Sequence, residues 1–321
     1  MHNTHNRLRP SDRARATTDG TETIEIHTAS GPPLFATVRE PPRGVKLTGT
    51  AVLAHAMFAR RSEFERRKGT RGGGLAPFLC GHGWRTIAFD FRGHGDSGAG
   101  AASGATWSYD DLVRDDLPAV VACARARSRR APVVVVGHSL GGHVALAAAG
   151  TGALDADAIA MFGANVWLRA LEPSRARWAV KRGIMAGVDA VCRKVGYFPA
   201  RALRMGSDDE PSLYMAALSR VAREGRWGSD DGRVSYEDAL ARVKIPVHAI
   251  ASDGDRLNCH PDCAAVFAGR CGGPTSFDRI DAADDGGKAP GHMEMVTTDA
   301  AKGAWERLAE WMAGTARTTA T

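Results

Sequence analysis

The sequence predicts an α/β protein with a mostly parallel, doubly wound central sheet and an inserted helical lid. Short apolar strands alternate with helices along most of the 321 residues, and a glycine-framed turn joins one all-valine strand to a helix. A helical stretch rich in Arg, Trp and Met then interrupts this alternation. Because parallel strands need crossover connections, strand–helix alternation is typical of a sheet that is covered on both faces.

The first two strands, at 23–31 and 33–41, are joined by a Gly-Pro turn. Apolar runs without polar interruption, such as the valines that precede residue 137, indicate strands buried on both faces. The later strands are predicted at 49–57, 85–93, 132–137, 157–163, 245–253 and 275–281. Helices are predicted at 75–83, 109–128, 140–150 and 298–313.

The interruption divides the chain into a core of two parts and an insertion. The core is predicted at 22–165 and 241–315, with the helical lid between them at 166–240. The polar, Arg-rich segment 1–21 is predicted to be a disordered tail, and 316–321 a flexible end. The length suits one large α/β domain with an insertion.

The middle of the predicted lid, at 174–196, has the pattern of an amphipathic helix. We expect its apolar face to lie over a pocket, and the alternative is a helix that lies on a membrane surface. The apolar residues of this face are Ile184, Val188, Val191 and Val195. Aromatic residues that could form pocket walls are Trp167, Trp178, Tyr197, Phe198, Tyr214 and Trp227.

Basic residues are concentrated in the predicted lid. Residues 169–226 hold twelve Arg or Lys against six Asp or Glu, and the whole chain has a net charge of +6. No nucleic-acid-binding motif accompanies this excess, so nucleic acid is not predicted as a partner. A second basic run, from Arg60 and Arg61 to Lys68 and Arg71, is interpreted as a solvated loop. Attraction of anions near a pocket mouth is the alternative.

Neither a membrane span nor a secretory signal is predicted, and an amphipathic targeting peptide within the first twenty residues is the weaker alternative to a disordered tail. No stretch approaches the ~18–20 consecutive apolar residues of a membrane span, so no transmembrane segment is predicted. The first twenty residues lack the apolar region of a secretory signal. We therefore expect a cytoplasmic protein.

The six cysteines are dispersed along the chain, and we expect reduced thiols. Cys259, His260, Cys263 and Cys271 lie close together in the sequence. They lack the paired C-x-x-C spacing of structural zinc sites, so neither a metal nor another cofactor is predicted.

The motif with the clearest chemical meaning is GHSLG, in which Ser139 stands between Gly137 and Gly141. It lies where a buried strand ends and a helix begins, which is the context of a nucleophile elbow. Such a sharp turn strains the serine backbone and leaves no room for side chains two residues away on either side. A glycine-rich turn without catalytic meaning is the alternative.

A serine hydroxyl needs a base, and the base needs an orienting carboxylate. Four histidines follow Ser139 in the chain: His143, His248, His260 and His292. His292 is predicted as the base because it lies in a loop after the last strand, at the carboxyl edge of the sheet.

Two acids, Asp253 and Asp255, follow the strand at 245–253 and are candidates for the orienting carboxylate. We favour Asp255, because the turn after the strand projects it toward the sheet edge. The other aspartate is expected to cap the next turn or helix.

The segments AVLAHAM, TIAFDFRGHGDSG, VVVVGHSLGG, ASDGD and PGHMEM together resemble the α/β-hydrolase fold serine hydrolases. The resemblance extends over about 22–313. It is strongest to the esterase, monoacylglycerol-lipase and serine-aminopeptidase branches and to bacterial hydrolases with little assigned chemistry. It implies an oxyanion hole made by the backbone N–H groups of Met57 and Leu140. In one departure, His55-Ala56 replaces the His-Gly of the family, and alanine tolerates fewer backbone conformations than glycine.

These observations predict a serine hydrolase that cleaves carboxylic esters by a Ser-His-Asp acyl-enzyme mechanism. The expected partner is a small ester or acyl compound of apolar character. Thioesterase, amide or peptide hydrolase, C–C bond hydrolase and acyltransferase activities would use the same three residues. A ligand-binding protein without catalysis is the alternative of a different class.

Overall fold

The computed structural model describes residues 15–16, 20–65, 73–128, 130–282 and 287–319, and its centre is a nine-stranded sheet. Most of the tail predicted at 1–21 lies outside the described residues. The strands are β1 (Arg15–Ala16), β2 (Thr21–Ile26), β3 (Leu34–Arg39), β4 (Gly49–Ala54), β5 (Trp84–Phe89), β6 (Val133–His138), β7 (Ala158–Phe162), β8 (Tyr197–Phe198), β9 (Glu210–Pro211), β10 (Val247–Ser252) and β11 (Thr275–Ile280).

The central sheet has the strand order β1-β2-β3-β5-β4-β6-β7-β10-β11. The strands from β5 to β11 in this order pair in parallel, and β1, β2 and β3 form an antiparallel edge. The predicted mostly parallel sheet is thereby confirmed. Because Arg15 and Ala16 pair with β2, the expectation that all of 1–21 is disordered is wrong for these two residues.

Helices cover both faces of the sheet. They are α1 (Leu75–Gly81), α2 (Tyr109–Asp111), α3 (Leu117–Ser128), α4 (Leu140–Gly150), α5 (Arg175–Val195), α6 (Ser212–Glu224), α7 (Tyr236–Ala239), α8 (Pro261–Ala268), α9 (Glu294–Thr297) and α10 (Lys302–Thr319). A π turn at Leu112–Asp116 joins α2 to α3. Short 3-10 turns lie at Arg61–Phe64, Ala101–Ser103, Arg169–Leu171, Leu240–Arg242 and Asp299–Ala301.

Strand β6 explains why the sheet needs two helical layers. Val133 and Val135 belong to the core on one face, and Val134 and Val136 belong to the core on the other. The first core is closed by α3 and α4, and the second by α1 and α10. A run of four valines is stable in a strand only where both faces are dry, as here.

Two helical predictions need correction. Helix α10 continues to Thr319, so the end predicted as flexible from 316 is helical, and no proline stops the helix after residue 302. Its register is held by Trp305 and Leu308, which are buried against the sheet. Helix α8 was not predicted, although Pro261 occupies its first turn, a position that favours proline.

The insertion between β7 and β10 contains the amphipathic helix α5, and its predicted apolar face is correct in part, because Ile184 and Val188 line a cavity. The buried residues of α5 are Lys181, Met185, Val188 and Cys192, whereas Ile184 and Val195 are exposed. The buried face includes Lys181, which donates to Glu172 Oε2 at 2.9 Å, and both side chains are almost completely buried. A buried ion pair of this kind is not visible in the spacing of apolar residues.

Two helical glycines give a matched test of the packing around α4. A Cβ at Gly141 would collide with the carbonyl group of Ala54 in β4, whereas a Cβ at Gly183 in α5 would meet nothing within 4 Å. We expect Gly141→Ala to lower the free energy of unfolding by about 1–3 kcal/mol through overpacking. Gly183→Ala should raise it by about 0.5–1 kcal/mol. Urea denaturation measures both, and equal effects of the two substitutions would contradict this packing.

Candidate active site

Ser139 occupies the turn between β6 and α4. Its backbone has φ 50° and ψ −108°, a left-handed φ that is rare for a residue with a side chain. A Cβ at Gly137 would overlap the backbone of Gly142, and one at Gly141 would overlap Ala54. The two glycines of the GHSLG motif are therefore required by the backbone that runs past them on each side.

His292 and Asp255, which lie 37 positions apart in the sequence, form a short hydrogen bond. His292 Nδ1 lies 2.5 Å from Asp255 Oδ2. The carboxylate also accepts the N–H groups of Asn258 and Cys259, each at 3.0 Å. Burial alone would raise the pKa of Asp255, but the hydrogen bonds from His292 and from these two amides outweigh burial and lower it. The carboxylate is thus held in its charged form beside the imidazole.

Asp253 has a different environment. It forms an ion pair with Arg279, with Nε of the arginine 2.9 Å from Oδ1, and its side chain is 36% exposed. The expectation that this aspartate caps the following turn is wrong. Asp255 itself accepts the amides of that turn while it contacts His292.

The other three histidines downstream of Ser139 contact neither Asp253 nor Asp255. His143 is buried, accepts or donates a hydrogen bond with the Tyr109 hydroxyl at 2.8 Å, and lines the cavity described below. Burial lowers the pKa of His143 to about 3, so the ring is neutral. His248 contacts Ser276 and stacks on Trp311.

His260 is the N-cap of α8 and accepts the N–H of Asp262. All six cysteines are free, and Cys259 and Cys263 are buried. Within the described residues, no group of three or more His, Cys, Asp or Glu side chains is arranged to hold a metal ion.

Ser139 and His292 line one cavity of about 350 Å³. Its wall includes Met57 and Phe58 from the turn after β4. The insertion supplies most of the apolar wall, and its residues there are Val166, Trp167, Ile184, Met185, Val188, Phe198, Met205, Met215, Leu218 and Val221. Of the six aromatic residues predicted as pocket walls, Trp167 and Phe198 line the cavity, while Tyr214 and Trp227 are buried near Tyr109.

The two backbone amides expected for an oxyanion hole lie at the ends of neighbouring strands. Leu140 is the first residue of α4, where an N–H has no acceptor within the helix. Among the described residues, the N–H of Met57 also has no acceptor. Ala56 does not have a positive φ, so alanine is compatible with this turn, and the strained position is Phe58 with φ 65°.

Two buried glutamate–histidine pairs adjoin the site and were not predicted. Glu63 Oε1 lies 3.2 Å from His138 Nδ1, and His138 Nε2 lies 3.1 Å from the carbonyl oxygen of His292. Glu210 Oε1 lies 3.0 Å from His94 Nε2. The only sequence signals were the position of His138 inside the GHSLG motif and of His94 inside FRGHGDSG.

The arginines after β4 are paired. Arg60 forms a bidentate contact with Asp208 at 2.8 Å, and Arg61 pairs with Asp90 and Asp96. The attraction of anions by these two side chains is therefore not supported, and the interpretation as a freely solvated loop is wrong for them. Lys68 and Arg71 lie outside the described residues.

Comparisons with known proteins agree with this fold. The family model of serine aminopeptidase, S33, matches residues 69–211. A soluble variant of monoglyceride lipase from Saccharomyces cerevisiae is 14% identical, with a TM-score of 0.64 over 91% of this chain and 96% of that one. The esterase domain of a Rhodothermus marinus protein is 19% identical, with a TM-score of 0.56 over 91% and 98%. Est1E from Butyrivibrio proteoclasticus with bound ferulic acid is 14% identical, with a TM-score of 0.59 over 91% and 98%.

No curated protein matches the sequence. The sheet, its flanking helices and the turn at Ser139 define the α/β-hydrolase fold. The solved structures confirm the fold that the resemblance implied, and the family model adds a match to the serine aminopeptidase family over residues 69–211. Among the described residues, no helix has the length and apolar character needed to cross a bilayer.

The pair of His94 and Glu210 predicts a pH dependence of stability. Burial and the neighbouring His55 oppose a charge on His94, but Glu210 and Asp208 raise its pKa to about 9. An unfolded histidine has a pKa of about 6.5. The pair therefore contributes its full stability below about pH 6.5, and this contribution is lost as the pH rises through about 9.

Urea denaturation between pH 6 and pH 10 measures this effect as the difference between the wild type and Glu210→Gln. We expect the difference in unfolding free energy to shrink across this range. A difference that stays constant or grows with pH would show that His94 is not charged in the folded protein.

Proposed function

We propose that this protein hydrolyses carboxylic esters through an acyl-enzyme on Ser139. One observation carries the proposal: a serine on a strained strand–helix turn and a histidine bonded to a buried aspartate open onto the same apolar cavity. A packed core has no need for this combination, because strained backbone persists only where surrounding structure enforces it.

In the proposed mechanism, Ser139 Oγ attacks the carbonyl carbon of the ester while His292 Nε2 accepts its proton. Asp255 holds Nδ1–H of His292, which fixes the tautomer and stabilises the imidazolium. The N–H groups of Met57 and Leu140 donate to the oxyanion. His292 returns its proton to the leaving alcohol, and it then activates water to release the acid.

The cavity supports an apolar substrate of small or moderate size. Its volume of about 350 Å³ lies at the lower end of small-molecule sites. Helices α5 and α6 of the insertion supply Met185, Val188, Met215 and Val221 to its wall, and we propose that the insertion is the lid. We propose oxygen esters because an esterase domain and a monoglyceride lipase are among the structural neighbours, while amide hydrolysis, as in the matched serine aminopeptidase family, would use the same three residues.

Replacement of the nucleophile tests the proposal directly. We expect Ser139→Ala to lower kcat for p-nitrophenyl acetate by about 10⁴–10⁶-fold, because the groups of such a site act as a unit. A fluorophosphonate probe should label the wild type. It should also label the control variant Ser103→Ala, because Ser103 is exposed and lies outside the cavity. Failure to label the folded wild type would favour a ligand-binding protein without catalysis.

The two aspartates after β10 provide a matched pair. Asp255→Asn should lower kcat by about 10⁴-fold, because the amide cannot hold His292 in the required tautomer. Asp253→Asn removes an exposed ion pair with Arg279, and we expect kcat to stay within about twofold of the wild type. Steady-state kinetics on the same ester measure both, and the reverse order would assign the orienting acid to Asp253.

A further inference from the structure

The turn after β4 holds its amides in an unusual arrangement. The N–H of Ala56 donates to Glu63 Oε1 at 3.0 Å, and the N–H of Phe58 donates to Glu210 Oε1 at 3.3 Å. Met57 lies between them, lines the cavity with Ser139, and its N–H has no acceptor among the described residues. The carboxylates of Glu63 and Glu210 thus hold the two amides that flank the N–H of Met57.

Each carboxylate is itself held by a histidine. Glu63 is 9% exposed and contacts His138, whereas Glu210 and His94 are completely buried. In both glutamates, Oε1 makes all of these contacts, and Oε2 is buried with no hydrogen-bond partner in the part of the chain that the structure describes. Burying such an oxygen is unfavourable. Both glutamates nevertheless direct the same single oxygen at an amide of this turn and at a histidine.

The insertion also fixes the strained residue of the turn. The carbonyl oxygen of Phe58 accepts the N–H groups of Ser207 at 2.7 Å and Asp208 at 3.1 Å. Gly206 lies so close that a Cβ there would collide with the same carbonyl group. Phe198 stacks on the Phe58 ring with centroids 5.3 Å apart. These contacts enforce the φ of 65°, which would otherwise relax.

We propose that Glu63 and Glu210 are positioning residues that fix the Met57 N–H for the oxyanion, so that the insertion completes the oxyanion hole as well as the cavity wall. This inference rests on the proposed function. A donor in such a hole acts only if it is aimed beforehand, because reorientation during the reaction would cancel its electrostatic benefit. Displacement of a reacting group by about 1 Å can cost about 10²-fold in rate.

Substitutions at Glu210 test the inference, with p-nitrophenyl acetate as substrate and a trifluoromethyl ketone as inhibitor. The ketone forms a tetrahedral adduct whose oxygen needs the same donors. We expect Glu210→Ala to lower kcat by about 10–100-fold with KM nearly unchanged, and to weaken the ketone by a similar factor. Glu210→Gln keeps an oxygen that can accept the Phe58 N–H, and it should recover most of both losses.

Glu237→Gln is the control, since Glu237 is also an ion-paired glutamate of the insertion, and neither it nor its partner Arg270 lines the cavity. It should leave kcat and ketone inhibition within about twofold of the wild type. If Glu210→Ala does not fold, Glu63→Gln and Glu210→Gln carry the test, and each should lower kcat and weaken the ketone by one common factor that is smaller than the factor expected for Glu210→Ala.

Two results would overturn the inference. The first is wild-type kcat and ketone inhibition in Glu210→Ala or, where it does not fold, in both glutamine variants. The second is an increase in KM with unchanged kcat, of the same size in Glu210→Ala and Glu210→Gln. In either case, labelling of the wild type by a fluorophosphonate probe shows that the proposed function still holds. An unlabelled wild type would instead reject the proposed function itself.

Discussion

The direct backbone contact between the start of α4 and the end of β4 is the constraint on which the site depends. The N–H of Gly141 donates to the carbonyl oxygen of His55 at 3.2 Å, and the parallel register sets Ala54 opposite Gly137. No side chain fits between the two segments. The turn at Ser139 and the turn that carries Met57 are therefore adjacent because of main-chain packing, whatever the surrounding side chains do.

The features that sequence reasoning predicted are those with a local cause. The strands were visible because burial on both faces requires continuous apolar runs, and Ser139 was visible because its turn requires glycine on both sides. Asp255 and His292 could be proposed because parallel strands bring their following loops to one edge. The contact between these two side chains agrees with that reasoning.

Features that depend on long-range polar contacts could not be predicted. The buried face of α5 includes Lys181, which pairs with Glu172, and a charged residue at a buried position cannot be found from apolar spacing. Glu210 is 152 positions from Phe58, whose amide it accepts. An acidic residue in a basic insertion carries no sign of such a partner, and only the folded chain brings the two together.

The order of the strands along the chain has a consequence for synthesis. The half of the protein that contains Ser139 ends with β7, and Asp255 and His292 follow only after the insertion, with β10 and β11. A chain that emerges from the ribosome from its N-terminus, and folds unit by unit, therefore exposes its serine long before the imidazole is available. Under the proposed mechanism, the nascent polypeptide would therefore stay inert toward acyl compounds until its last quarter has been translated and docked.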